Sequence, residues 1–270
     1  MATTVLRPDP TDAALPIGDR LRAWRQRRRL SQLDLALDAE VSQRHLSFVE
    51  SGRAAPSREM VLRLAAALDV PLRERNALLL AAGYAPVYPE RPLDAPAMAA
   101  AREATERILR AHMPFPAMAV DRHWNIVAAN DAVAPLLEGV EDASLLAPPI
   151  NGVRLSLHPR GLAPRIANLP RWRAHILERL RRQVAASGDR TLAALLEEVR
   201  GFGAGPEGEH GADADDGVAV PMELDTPRGR LSFLSTTMVF GTPVEVTLSE
   251  LMVEAFYPAN AETAALLSGR

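Results

Sequence analysis

The chain contains no cysteine. That excludes disulfides, thiolate-bound metals, iron–sulfur clusters and a cysteine nucleophile. It also contains no lysine, so all 31 basic residues are arginine. With Ala and Pro abundant, this reads as GC-rich coding, and arginine usage alone is no argument for nucleic acid. No apolar run approaches the roughly 20 residues that span a bilayer. The opening MATTVLRPDPTDAALPIGDR lacks the basic start and apolar core of a secretion signal. The expectation is a cytoplasmic protein with no membrane partner.

Catalytic patterns are missing as well. The six histidines (45, 112, 123, 158, 175, 210) are scattered and show no metal-ligand spacing. There is no G-x-S-x-G elbow, no P-loop, and no G-x-G-x-x-G between a strand and a helix. Gly201-Phe202-Gly203 opens an acidic stretch that would repel phosphate. No catalytic residue, metal site or cofactor is expected. His158, in LHPRGL, is expected to be structural, and Trp124 and Trp172 to be core residues rather than a ligand cage.

What is present is a 270-residue chain, 47% hydrophobic and 24% charged, long enough for one large domain or two ordinary ones. Its charge is uneven. Residues 17–83 carry 12 Arg against 8 acidic residues, a net of +4; with −3 overall, the remainder carries −7. A basic first part joined to an acidic remainder suits DNA binding at one end only.

Residues 1–15 read as a disordered tail. Helical periodicity then begins near Pro16, with Ile17, Leu21 and Trp24 on one side and Leu30 closing the segment. The Arg25–Arg29 run reads first as a solvated face and second as a remote phosphate contact. Ser31 is an N-cap for a second helix, Gln32–Asp38, and Ser42 for a third, Gln43–Ser51, stopped by Gly52. Ser57 caps a fourth, Arg58–Leu68, and Pro71 begins a fifth that ends at Gly83. Four prolines in residues 85–97 mark a linker. A helix, Met98–His112, follows it.

Beyond the linker the pattern becomes α+β. MAVDRHWNIVAAN reads as two strands about a turn at Asp121-Arg122, and Asn130 as the cap of a helix through Leu137. Residues 153–157, VRLSL, alternate as a strand would. Arg171–Ala186 is an amphipathic helix, and Thr191 caps another. The Gly- and Asp-rich residues 201–217 read as a mobile loop. Three strands, within VAVPMEL, GRLSFLSTTMVF and VTLSELMVEAFYP, form an antiparallel meander.

The decisive stretch is residues 30–70. Two short helices joined by a few residues form a helix-turn-helix, whose second helix enters the major groove of double-stranded DNA. Ala36 is small where the helices cross. Leu35, Leu46 and Val49 supply contacts between them, and Leu62, Leu64, Ala65 and Leu68 complete the core. Gln32, at a helix start, can clamp a phosphate. Ser42, Gln43 and Arg44 open the recognition helix, where Gln can bond adenine and Arg guanine bidentately. His45 and Ser47 lie within reach of base edges or backbone, and Arg53, past Gly52, of a phosphate. A single recognition helix reads few base pairs, so a homodimer is expected.

These motifs, LSQ-x-x-L-A, then VS-x-x-x-LS-x-x-E-x-G-R, then P-S-x-x-x-x-x-L-A-x-A-L-x-V, resemble the phage-repressor/Cro-type (XRE) helix-turn-helix family over residues 17–70. One departure stands out. The family has Gly in the turn, where the backbone takes positive φ, and this chain has Glu40, at a cost of about 1 kcal/mol. The remainder resembles the ligand-binding domain of MmyB-like regulators, a PAS-like fold. The resemblance rests on MAVDRHWNIVAAN, NGVRLSLHPRGLAPRIANLPRWRAHILERLRRQ and GTPVEVTLSELMVEAFYPAN, and extends to RERNALLLAAGYAP. It implies a bacterial transcription regulator that senses a small apolar, fatty-acid-like molecule. The residues themselves show only a sheet and amphipathic helices, and leave open a dimerisation or protein-interaction module with no small ligand. No ligand-binding residue can be named. The expected architecture is thus multidomain: a tail, 1–15; an all-α five-helix DNA-binding domain, 16–84; a linker and connecting helix, 85–112; an α+β PAS-like domain, 113–260; and a C-terminal tail, 261–270.

Overall fold

The computed structural model describes residues 15–203 and 219–269. Most of the expected N-terminal tail, His210 and nearly all of the expected acidic loop lie outside the described residues. The chain forms two compact units. One runs to Pro92 and also takes in residues 243–249; the other holds residues 93–242 and everything from Glu250 onward.

The first unit is all-α. Its helices are α1 (Ile17–Arg27), α2 (Gln32–Asp38), α3 (Gln43–Glu50), α4 (Arg58–Ala67) and α5 (Leu72–Ala81). Three serines start three of them. Ser31, Ser42 and Ser57 accept hydrogen bonds from the backbone N–H of Asp34, His45 and Met60 at 3.1–3.2 Å. Each bond satisfies one of the free donors of a helix start. Asp34 reciprocates to the Ser31 N–H, completing a capping box. Leu21, Leu35, Leu46, Val61, Leu64 and Leu68 are fully buried, and Trp24 nearly so, in one core. On α4, Val61 is fully buried and Leu62 packs half-buried against the same core.

The Arg25–Arg29 run is not a simply solvated face. Arg25 donates to Glu50 and to the Leu30 carbonyl, and Arg28 to the carbonyls of Leu68 and Asp69. The guanidinium of Arg27 lies 4.6 Å from the centre of the Trp24 ring. These arginines lace the helices together.

The segment 243–249 belongs to this unit although the sequence places it between two strands of the other. A single helical turn, Val246–Ser249, starts at Glu245. The buried Glu245 carboxylate accepts the N–H of Arg91 and of Leu248, both at 2.7 Å. Val246 donates to the Pro89 carbonyl and the Thr247 hydroxyl to that of Arg91. The proline-rich linker is therefore held in an ordered path.

The second unit contains α6 (Ala99–Ala111), β1 (Ala117–Val120), β2 (Ile126–Ala129), α7 (Gly152–Leu157), α8 (Leu169–Ser187), α9 (Arg190–Gly201), β3 (Met222–Thr226), β4 (Gly229–Val239), β5 (Met252–Pro258) and α10 (Ala261–Ser268). The strands form one sheet in the order β2-β1-β5-β4-β3, with every neighbouring pair antiparallel. The meander β3-β4-β5 is there, and β1 lies against the far edge of β5. One face carries Val120, Leu224, Leu231, Phe233 and Phe256 into a core shared with Trp172, Ile176 and Leu180 of α8 and Leu192, Leu195 and Val199 of α9. The expected fold class, a helical helix-turn-helix unit followed by an α+β unit, is the one that forms.

Four local expectations change. Residues 153–157 are helical, not a strand. Asn151 caps α7 by accepting the Arg154 N–H at 3.0 Å, and Val153, Leu155, Ser156 and Leu157 are all buried. The cap of α9 is Asp189 rather than Thr191. Asn130 caps no α-helix; its amide bridges the Ala117 N–H and the carbonyls of Leu109 and Phe115, and only a 3₁₀ turn, Ala134–Leu137, follows. Finally, the expected C-terminal tail is helical over α10. Its Thr263 is fully buried, and the hydroxyl accepts the Ser232 N–H of β4.

Candidate nucleic-acid interface

The turn between α2 and α3 sets the geometry. Glu40 has φ 51°, the left-handed conformation that a helix-to-helix turn requires. The chain then extends through Ser42, whose capping bond fixes the first turn of α3. Leu46, Val49 and Glu50 face inward, leaving Ser42, Gln43 and Arg44 exposed and His45, Ser47 and Phe48 half-buried.

Gly52 ends the helix with φ 72°. The chain doubles back, and the Arg53 N–H meets the Phe48 carbonyl at 2.8 Å. This return brings Arg53 beside Arg44. Their guanidinium carbons lie 6.0 and 5.4 Å from the centre of the same ring, that of Phe48. Two cations nine residues apart in sequence thus share one aromatic support. The sequence expectation named both arginines and missed Phe48; the i, i+4 spacing of Arg44 and Phe48 was the available signal.

Behind this face sits Glu50, 2% exposed. Arg25 forks onto both of its carboxylate oxygens at 2.7 and 2.8 Å, and Gln32 donates to one at 2.9 Å. Arg22 donates to its backbone carbonyl at 2.6 Å. Burial disfavours the Glu50 charge, but these hydrogen bonds and the charges of Arg25 and Arg22 hold its carboxyl below the ordinary value. One buried acid therefore joins α1, α2 and α3. Gln32 is part of that joint: its amide nitrogen is turned to Glu50, and the α2 backbone start stands beside it. Asp34 is likewise held below the usual carboxylate range by the Ser31 hydroxyl and N–H.

An open cleft of about 580 Å³ lies near the end of α3, lined by Pro16, Ile17, Arg22, Val49, Gly52 and Ala81 among others. It includes none of the seven expected contact residues.

In the second unit, the two tryptophans are core residues with bonded indoles. Trp124 donates to Gln183 and Trp172 to Ser156, at 2.8 and 2.9 Å. Beside Trp124, the Arg179 guanidinium stacks at 4.4 Å from the ring centre and pairs with the buried Glu254 of β5. Glu254 also accepts the Thr237 hydroxyl of β4. His175 stacks on Trp172, and burial together with the charges of Arg179 and Arg182 pushes its pKa down. His158 ends α7, accepts the Arg160 N–H and meets the Phe202 ring edge-on. Among the described residues, no cluster of His, Asp or Glu could hold a metal ion, and no helix is long and apolar enough to cross a membrane.

Comparison with known families gives two matches along the chain. A helix-turn-helix profile matches residues 21–75. The profile of the MmyB-like transcription regulator ligand binding domain matches residues 101–268, more than half of the chain. No curated protein gives a match. The chain carries a DNA-binding helix-turn-helix followed by a ligand-binding domain, and it belongs to the MmyB-like transcription regulators.

Proposed function

We propose that the protein is a cytoplasmic, non-enzymatic regulator that reads a specific DNA site with α3. The carrying observation is the exposed start of α3 with Arg44 and Arg53 set against one Phe48 ring. Gln43 and Arg44 stand at the helix start that enters the major groove, where amide and guanidinium groups match base-edge patterns. His45 and Ser47 continue that face. Ser42 and the α2 start at Gln32 offer polar groups to phosphate, and Arg53 pairs with the backbone. The face reads few base pairs, so the working species is a homodimer on two half-sites.

The second unit is proposed to take a small apolar, fatty-acid-like molecule. Its family supports a bound ligand, and an interior built on Leu, Ile, Val, Phe and Trp suits an apolar one. Coupling to DNA affinity then requires that the ligand bind two states of the protein unequally. A native mass spectrum of protein purified from its own host tests the point: a lipid-sized adduct supports sensing, and a clean apo mass counts against it.

For DNA, the test is a mobility shift on the operator nearest the protein's own gene. Arg44→Ala is expected to lose about 1–3 kcal/mol and to relax preference at one base position. Arg53→Ala is expected to weaken all sequences about equally and to lower the salt slope by about 1. Parental binding by the double variant would remove α3 as the reading element.

A further inference from the structure

α3 buries three of its residues, Leu46, Val49 and Glu50. An α-helix advances about 100° per residue, so the side opposite these three runs along Arg44 and Phe48, with Ser47 and Ser51 flanking them. Phe48 is half-buried. Among the described residues, however, its ring is not one of the side chains packed on the core that holds Leu46 and Val49. The groups beside it are the guanidiniums of Arg44 and Arg53, 5.4 and 6.0 Å from the ring centre.

The backbone beneath the ring is fixed. The Phe48 carbonyl accepts the N–H of Arg53 at 2.8 Å and of Ala54 at 3.2 Å, and the Ser51 hydroxyl at 3.2 Å. A helix lying in the groove by this side brings an apolar ring to the base edges together with a guanidinium. Those edges present polar donors and acceptors and one apolar group, the C5 methyl of thymine. Against the polar atoms a phenyl ring makes no hydrogen bond and displaces water, which costs free energy. Against the methyl it buries apolar surface on both sides.

We infer that Phe48 is a specificity-determining residue of α3, its ring seated on the C5 methyl of a thymine. A rise of about 1.5 Å per residue sets it about 6 Å along the helix from Arg44. At about 3.4 Å per base step, the thymine lies within about two steps of the base that Arg44 reads. The inference rests on the reading that α3 enters the major groove. It adds an apolar contact that neither arginine supplies.

The experiment uses the full chain and the tightest duplex it selects from a random-sequence pool. Each thymine of that duplex is replaced in turn by deoxyuridine, which removes the methyl and keeps the base pair. Parent affinity should fall about four-fold at one thymine of each half-site, the worth of one buried methyl-sized group. Phe48→Ala and Phe48→Gln should bind the thymine and uracil duplexes equally at that position. Both replacements favour helix, and either variant carries the test if the other fails to fold. Variants that bind weakly yet keep the parent's uracil penalty would overturn the contact, leaving the ring as a support for the two arginines. A parent indifferent to uracil throughout, while Arg44→Ala still relaxes one position, would overturn the contact and leave reading by α3 intact. A parent that selects no common duplex would overturn both.

Discussion

Glu50 is held by three residues of two other helices, Arg22 and Arg25 of α1 and Gln32 of α2. Glu50→Gln keeps its shape but leaves the Arg25 guanidinium, 13% exposed, without a counter-charge. Breaking a buried pair in this way costs about 3–5 kcal/mol. The expected result is a lower urea midpoint at an unchanged m-value, with DNA affinity lost along with the fold. Glu40 works in the opposite direction. Its φ of 51° is strained for any residue with a Cβ, so Glu40→Gly is expected to raise stability by about 0.5–1 kcal/mol, measured by thermal melting. The strain was legible from the turn's position and the missing glycine. The role of Glu50 was not, because a lone Glu in E-S-G-R reads as a solvated helix end until α1 is packed against it. Gly18 is similar: a Cβ there would lie 2.5 Å from the Val49 carbonyl oxygen, a constraint set wholly by the α1–α3 approach.

Among the elements, the helices that begin at Ser31, Ser42 and Ser57 could be read directly, since cap, periodicity and stop signal agree. α7 could not. Only four of its six residues are buried, Val153, Leu155, Ser156 and Leu157, and so short a run suits a strand equally well. What decided it was Asn151, whose amide also donates to the His123 carbonyl at 2.7 Å and is fixed only by the β1–β2 turn. α9 shows the same dependence. Asp189 caps it through the N–H groups of Thr191 and Leu192 and also accepts a 2.9 Å bond from His123. Burial raises its pKa, but those partners and Arg122 overcome this and hold it at about 2, against an ordinary 3.8. A depressed carboxylate contributes stability above its unfolded value and loses it as pH falls through the folded one. Asp189→Asn should therefore melt well below the parent at pH 7. The gap should shrink between about pH 4 and pH 2 and be nearly closed below that, in a series of thermal melts.

At the scale of the whole molecule, residues 243–249 make the DNA-binding unit discontinuous in sequence. Glu245→Ala removes the acceptor of the Arg91 and Leu248 N–H groups. It is expected to destabilise by about 1–3 kcal/mol, because two donors lose a buried partner. Hydrogen exchange at Arg91 and Leu248 should quicken, while Leu46 and Val49 in the core of α3 stay protected; unchanged exchange at Arg91 would show that the segment does not hold the linker. Sequence alone placed 85–97 in a linker because four prolines forbid regular helix, and residues 85–95 lie outside any helix or strand. That the linker is held by a turn some 150 residues away was beyond any local pattern.

The sequence by itself determined the two-part organisation, the helix-turn-helix, its caps and the strained turn at Glu40. Each of these depends on residues within a few positions of one another, where capping and periodicity act. Tertiary structure alone decided the Glu50 junction, the shared Phe48 support of Arg44 and Arg53, the helicity of α7 and the Asp189–His123 cap. Those depend on what distant segments bring alongside, and hydrogen-bond satisfaction and burial are settled only once the chain has closed on itself.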